Sequence, residues 1–108
     1  MTMFDERERA FEQMFVHDAE ARFRALARRN KLLGEWAVAQ LGLSGDRASA
    51  YLNGVSRSVV AAVVDESLVE KLSADFAKAG ISQSAEQIRE KMSSLMTTAI
   101  NQVRSSTW

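Results

Sequence analysis

The sequence predicts an all-α protein, a four-helix antiparallel bundle with an N-terminal arm that projects from the bundle or moves against it. Three observations carry this expectation. The chain of 108 residues has no proline, and its apolar residues recur three or four positions apart, the period of a helix with one buried face. Glycine and serine cluster where that pattern breaks, at residues 42–45 and 80–84, and four helices joined by short connections pack as a small antiparallel bundle. At this length one domain is expected, with a modest core.

The first helix is expected from Phe4 to Leu41, since Gly34 is the only glycine in that span. Its apolar face is Phe15, Ala19, Phe23, Leu26, Leu33, Trp36 and Ala37, and Phe23 and Trp36 are assigned to the bundle core. Asp5 with Arg9, Asp18 with Arg22 and Glu20 with Arg24 each place an acid four residues before a base, the orientation that supports a helix by about 0.2 to 0.5 kcal/mol per pair. A helix over this span would be roughly 57 Å long at 1.5 Å per residue. A compact chain of this size is only about 35 Å across. The N-terminal end therefore protrudes, folds back, or stays disordered until something binds it.

Gly42 is the expected left-handed cap of helix 1 and Ser44 the expected N-cap of helix 2. Helix 2 is expected from Asp46 to Val64, with a kink or split at Asn53, Gly54, Val55 and Ser56, which are poor helix formers. The run Val59, Val60, Val63 and Val64 has strand propensity but no second strand to pair with, and is read as helix. Asp65 is placed to cap helix 3, whose buried side is Leu68, Val69, Leu72 and Phe76, and Gly80 ends it after Lys78. Ser84 and Gln87 have the spacing of a capping box. Helix 4 follows, with Ile88, Met92, Leu95, Ala99 and Val103 on one face.

Formal net charge is zero and the pI is near 6.6, so bulk electrostatics give no reason to expect nucleic acid or an acidic membrane as partner. Cysteine is absent, which excludes disulfides, thiolate metal sites and a cysteine nucleophile. The N-terminus is acidic where a secretory or transit signal would be basic, and no apolar run approaches the roughly 20 residues that span a bilayer. The reading is a soluble, cytoplasmic protein that is not inserted in the membrane.

The catalytic inventory is thin. His17 is the sole histidine, and no nucleophile-elbow glycine pattern accompanies the serines. It reads as a partly exposed helix residue, with a pH-sensing role as the minor alternative. His17, Asp18 and Glu20 fan out around a helix, so they do not converge on a metal. No glycine-rich loop follows a strand. The protein is read as a non-enzyme that needs no cofactor.

Two features remain as candidate binding elements. Arg28, Arg29 and Lys31, with Asn30 between them, could hold a phosphate through bidentate guanidinium contacts; more often such a run is a solvated face or pairs with acids on a neighbouring helix. Phe4, Phe11 and Phe15 lie beyond the body by the length argument unless the segment folds back. Three exposed phenylalanines are an association liability unless a partner covers them, and a helix entering a groove uses anchors one and two turns apart.

At these residues the chain resembles a known family. Phe4-Asp5-Glu6-Arg7-Glu8-Arg9-Ala10-Phe11-Glu12, then Phe15, His17-Asp18-Ala19-Glu20, Phe23, and Ala27-Arg28-Arg29-Asn30-Lys31-Leu32-Leu33-Gly34 with Trp36-Ala37, is similar to the zeta subunit of α-proteobacterial F-type ATP synthases. A weaker likeness runs on through Asp75, Ala79-Gly80, Ser84, Ile88 and Lys91-Met92.

The resemblance implies an inhibitor of ATP hydrolysis with a four-helix body, residues 18–108, and an inhibitory N-terminal arm, residues 1–17. It implies that the arm becomes helical as it wedges between catalytic and non-catalytic subunits of the enzyme head, against the central stalk, blocking hydrolytic rotation. On that basis Phe4, Phe11 and Phe15 are the apolar anchors, and Asp5, Arg7, Glu8, Arg9 and Glu12 make charge contacts with the head. Such a protein is cytoplasmic and peripheral to the inner membrane through the synthase. Some family members bind adenine nucleotides when free, which makes Arg28, Arg29 and Lys31 the candidate contacts for ATP or ADP. The alternatives are an adenine-nucleotide-binding regulatory protein and a structural helical adaptor without inhibition. The chain departs from the family pattern in helix 2, usually rich in acids, where residues 50–64 carry almost no charge.

Overall fold

The computed structural model describes residues 19–60 and 65–107. Four helices and no strand occur among them: α1 is Ala19–Leu41, α2 Gly45–Val60, α3 Asp65–Lys78 and α4 Ala85–Thr107. The part of helix 1 expected at residues 4–18, and the last four residues expected for helix 2, lie outside the described residues. Within α2 the helix is continuous through Asn53 and Gly54, so the helix is not split there. Tertiary packing outweighs the roughly 1 kcal/mol that a helical glycine loses to alanine.

The ends of the helices follow local chemistry. Gly42 adopts φ 68° and Gly80 φ 73°, the left-handed conformation that glycine enters without a Cβ penalty. At the first, the Leu43 N–H donates to the Val38 carbonyl at 3.1 Å and the Gly42 N–H to Ala39 at 3.3 Å. At the second, the Ile81 N–H donates to Phe76 at 2.9 Å and the Gly80 N–H to Ala77 at 3.1 Å. Both are Schellman closures, which satisfy the last carbonyls of a helix. At the start of α4, the Gln87 N–H donates to Ser84 Oγ at 3.1 Å and the Ser84 N–H to Gln87 Oε1 at 2.8 Å. That is the reciprocal capping box the spacing predicts.

α1 is the central helix, packed on both α2 and α4, while α3 packs on α4. The main core joins Leu33 and Ala37 of α1, Val55 of α2, Leu68, Val69, Leu72 and Phe76 of α3, and Ile88 and Met92 of α4. Trp36 borders it, its ring edge-on to Phe76 with centroids 5.4 Å apart. A smaller cluster, Ala21 and Ala25 against Val103, with Met96 and Ile100 beside them, binds the start of α1 to the end of α4. At the opposite end Gln83 Nε2 donates to Gln40 Oε1, so α1 and α4 run antiparallel. Gly34 lets α1 and α2 approach closely: a Cβ there would lie 3.0 Å from Leu52 Cδ2.

The assignment of Phe23 to the core is wrong. Its neighbours Ala21 and Ala25 are 2% and 1% exposed, and each is two residues away, about 200° around the helix. The small alanines are the face that docks on α4, so Phe23 points outward and is 48% exposed.

Candidate functional site

The first turns of α1 connect the described body to the segment carrying the candidate anchors. Phe4, Asp5, Arg7, Glu8, Arg9, Phe11, Glu12, Phe15 and His17 all lie outside the described residues. The platform they lead into is firm, because the buried Ala21 and Ala25 seat α1 on α4 from its first turn. Its outer surface carries exposed Arg22 and Phe23, then Arg24, whose Nη2 lies 2.6 Å from Glu20 Oε1. That ion pair is the i,i+4 contact expected from the spacing.

The basic cluster is divided by the helix. Arg29 turns inward, with its side chain 5% exposed. Its Nη1 and Nη2 donate to Asp65 Oδ2 and Oδ1 at 3.0 and 2.8 Å, and its Nε donates to Asn30 Oδ1 at 2.9 Å. This is a bidentate fork on a carboxylate, and it ties the middle of α1 to the first residue of α3. Asp65 therefore serves as the partner of Arg29, a role the sequence reading did not assign to it. Nothing periodic could have revealed this pair, since the two residues are 36 positions apart.

Arg28 and Lys31 remain on the outside, three residues apart and on neighbouring parts of the α1 surface. Arg28 lines a shallow, open depression with Thr98, Asn101, Gln102 and Ser105 of α4. The hydroxyls of Thr98 and Ser105 donate to the carbonyls of Ser94 and Asn101. Gln102 Oε1 is buried there without a partner among the described residues. The three cations named from the sequence thus do not converge on one point.

Two further clusters brace the body. Tyr51 Oη donates to Asp75 Oδ2 at 2.7 Å, and Lys71 Nζ reaches the same oxygen at 3.0 Å while lying 4.9 Å from the Tyr51 ring centroid. Burial, followed by the bond to Asp75 and that carboxylate's charge, pushes the Tyr51 phenol well above its ordinary range. On the surface, Arg89 bonds Glu66 and holds its carboxyl below the usual value. Among the described residues no three histidine or acidic groups are grouped to hold a metal ion, and no helix is long and apolar enough to cross a membrane.

A family model described as ATPase inhibitor subunit zeta matches residues 1–102. No curated protein matches the chain.

Proposed function

The chain belongs to the ATPase inhibitor subunit zeta family, and we propose that it is the inhibitory subunit of an F-type ATP synthase head. In this reading residues 1–17 form the arm, which enters the head between catalytic and non-catalytic subunits and against the central stalk, and residues 18–108 form the body that holds it there. Phe4, Phe11 and Phe15 supply apolar anchors, and Asp5, Arg7, Glu8, Arg9 and Glu12 supply charge contacts. The protein is then cytoplasmic and peripheral to the inner membrane through that complex.

The observation that carries the proposal is the extent of the family match, which begins at residue 1 and includes the arm with the body. The fold is consistent with a division of labour. A body capped at its helix ends and clasped by Arg29 and Asp65 supplies a rigid anchorage, and a rigid anchorage lowers the ordering cost of binding. Ordering about fifteen arm residues would cost on the order of 15 to 30 kcal/mol of backbone entropy, so the receiving groove must be deep and largely apolar.

The test is ATP hydrolysis by the cognate head with the full chain and with residues 18–108. Inhibition by the full chain, lost on truncation, is the expected result; unchanged hydrolysis with the full chain refutes the proposal. Phe11→Ala should weaken inhibition by about 2 kcal/mol or more, the threshold of a buried hot spot. The nucleotide alternative draws on the placement of Arg28 beside the α4 depression. Titration of the free protein with ATP or ADP, followed by amide shifts at Arg28 and Lys31, distinguishes it from inhibition alone.

A further inference from the structure

We propose that the Asn53–Gly54 bond in α2 is a site of spontaneous deamidation that the folded helix keeps closed, so that a chain whose α2 opens passes into an isoaspartyl form unable to rebuild the seam between α1 and α2.

The chain has three asparagines, and only Asn53 is followed by glycine, since Asn30 precedes Lys31 and Asn101 precedes Gln102. The reaction needs no partner other than water. The Gly54 backbone nitrogen attacks Asn53 Cγ, loses its proton to solvent and expels the amide nitrogen as ammonia, leaving a cyclic succinimide. Water then opens the ring. Addition at Cγ breaks the new bond and gives aspartate, whereas addition at the Asn53 main-chain carbonyl breaks the original peptide bond and leaves the chain running through the former side chain. Nothing is oxidised or reduced in either branch. Glycine offers the least hindered nitrogen for this step because it has no Cβ, while the side chains of Lys31 and Gln102 shield theirs.

The helix decides when the reaction can run. Asn53 and Gly54 are exposed, and a Cβ at Gly54 would meet nothing within 4 Å, so packing within the body does not call for a glycine there. Both residues lie inside α2, Gly45–Val60. A helical ψ is about −42°, and the N–H of an interior residue is committed to the carbonyl one turn back. Ring closure needs that ψ to change and that nitrogen to be released. Solvent access alone is therefore insufficient, and α2 must open locally.

The bond also sits where added backbone does most harm. Just before it, Leu52 lies against Gly34 of α1 and Tyr51 bonds Asp75 of α3. Just after it, Val55 is fully buried in the main core, its Cβ 3.5 Å from where a Gly34 Cβ would stand. These residues meet their partners only while they share one helical phase. An isoaspartyl linkage inserts a main-chain methylene between them and destroys that phase. The aspartyl product keeps the backbone and adds a charge on the exposed side.

The test ages the full chain at neutral pH with and without urea. The tryptic peptide 48–57, which holds only this asparagine, is followed by its mass gain and by isoaspartyl methyltransferase labelling. Conversion should run at least tenfold faster in urea, the equivalent of 1.4 kcal/mol or more of helix opening, and faster there than at Asn30 or Asn101. Gly54→Ala should suppress most of the conversion in urea and leave the native fold intact. After urea is removed, the isoaspartyl chain, separated from the aspartyl one by chromatography, should unfold at a lower denaturant midpoint than the parent, whereas Asn53→Asp should keep the parent's midpoint. Equal rates with and without urea overturn the gating, and an Asn53 that reacts no faster in urea than the other two asparagines overturns the site. An isoaspartyl chain with the parent's midpoint, or an Asn53→Asp variant that falls as far as the isoaspartyl chain, overturns the effect on the seam.

Discussion

Removing the carboxylate of Asp65 should destabilise the body far more than its surface position suggests. Asp65 is 61% exposed, but the guanidinium it holds belongs to a side chain that is only 5% exposed. In Asp65→Ala, Arg29 keeps its bond to Asn30 and loses both bonds of the fork. Breaking a fully buried ion pair from one side costs about 3 to 5 kcal/mol. Solvent around the Asp65 carboxylate screens the interaction, and water can reach the vacated side, so about 1.5 to 3 kcal/mol is expected. For a domain of this size that is a fall of roughly 6 to 12 °C in thermal midpoint.

The assay is urea unfolding followed by tryptophan fluorescence, within a double-mutant cycle using Arg29→Met. The paired variant, in which neither charge remains, should recover to within about 1 kcal/mol of the parent, because an apolar replacement of a buried pair is often near neutral. A loss below about 0.5 kcal/mol in Asp65→Ala, or effects that simply add in the paired variant, would refute the reasoning.

Gly34→Ala should change stability by less than about 1 kcal/mol, since the gain in helix propensity is opposed by a Cβ 3.0 Å from Leu52 Cδ2, the movable end of a half-buried side chain. Gly34→Leu should lose about 2 kcal/mol or more by forcing α1 from α2, and denaturant midpoints compare the two. Ser84→Ala should cost about 1 kcal/mol by removing the hydroxyl end of the capping box, measured in the same way. Tyr51 is the sole tyrosine, so absorbance at 295 nm reports it alone; it should titrate well above the ordinary value of about 10 while the protein is folded. A phenol whose pKa is raised by folding contributes stability that is complete below the unfolded value and lost as pH rises beyond it. Alkaline unfolding should therefore begin above about pH 10, and a normal titration midpoint in the folded protein would contradict the buried bond to Asp75.

Much of the fold was legible because its signals are local. The left-handed glycines at 42 and 80, the Ser84 and Gln87 box, and the buried positions Leu68, Leu72 and Phe76 in α3 each depend on residues within a turn or two of one another. The run of cations at 28–31 was legible as a cluster, but not its division into inward Arg29 and outward Arg28 and Lys31. The candidate anchors in the arm come from the likeness to a family and from the length of the segment, and they lie outside the described residues.

Phe23 shows where such reasoning stops. Its spacing from Ala19 and Leu26 suits a buried face as well as the spacing of Ala21 and Ala25 does, and hydrophobicity alone favours the larger ring. Periodicity tells which residues share a side of a helix, but the side that is buried depends on what another helix brings to it. Here α4, some eighty residues away, presents Val103 and Met96 at close range and selects the two small alanines. The same holds for Arg29, whose burial is tolerable only because the chain returns Asp65 to it. Helix propensity, capping and repeat length act over a few residues and can be read along a line; packing choice and the pairing of a buried charge are properties of surfaces that meet only once the chain has folded.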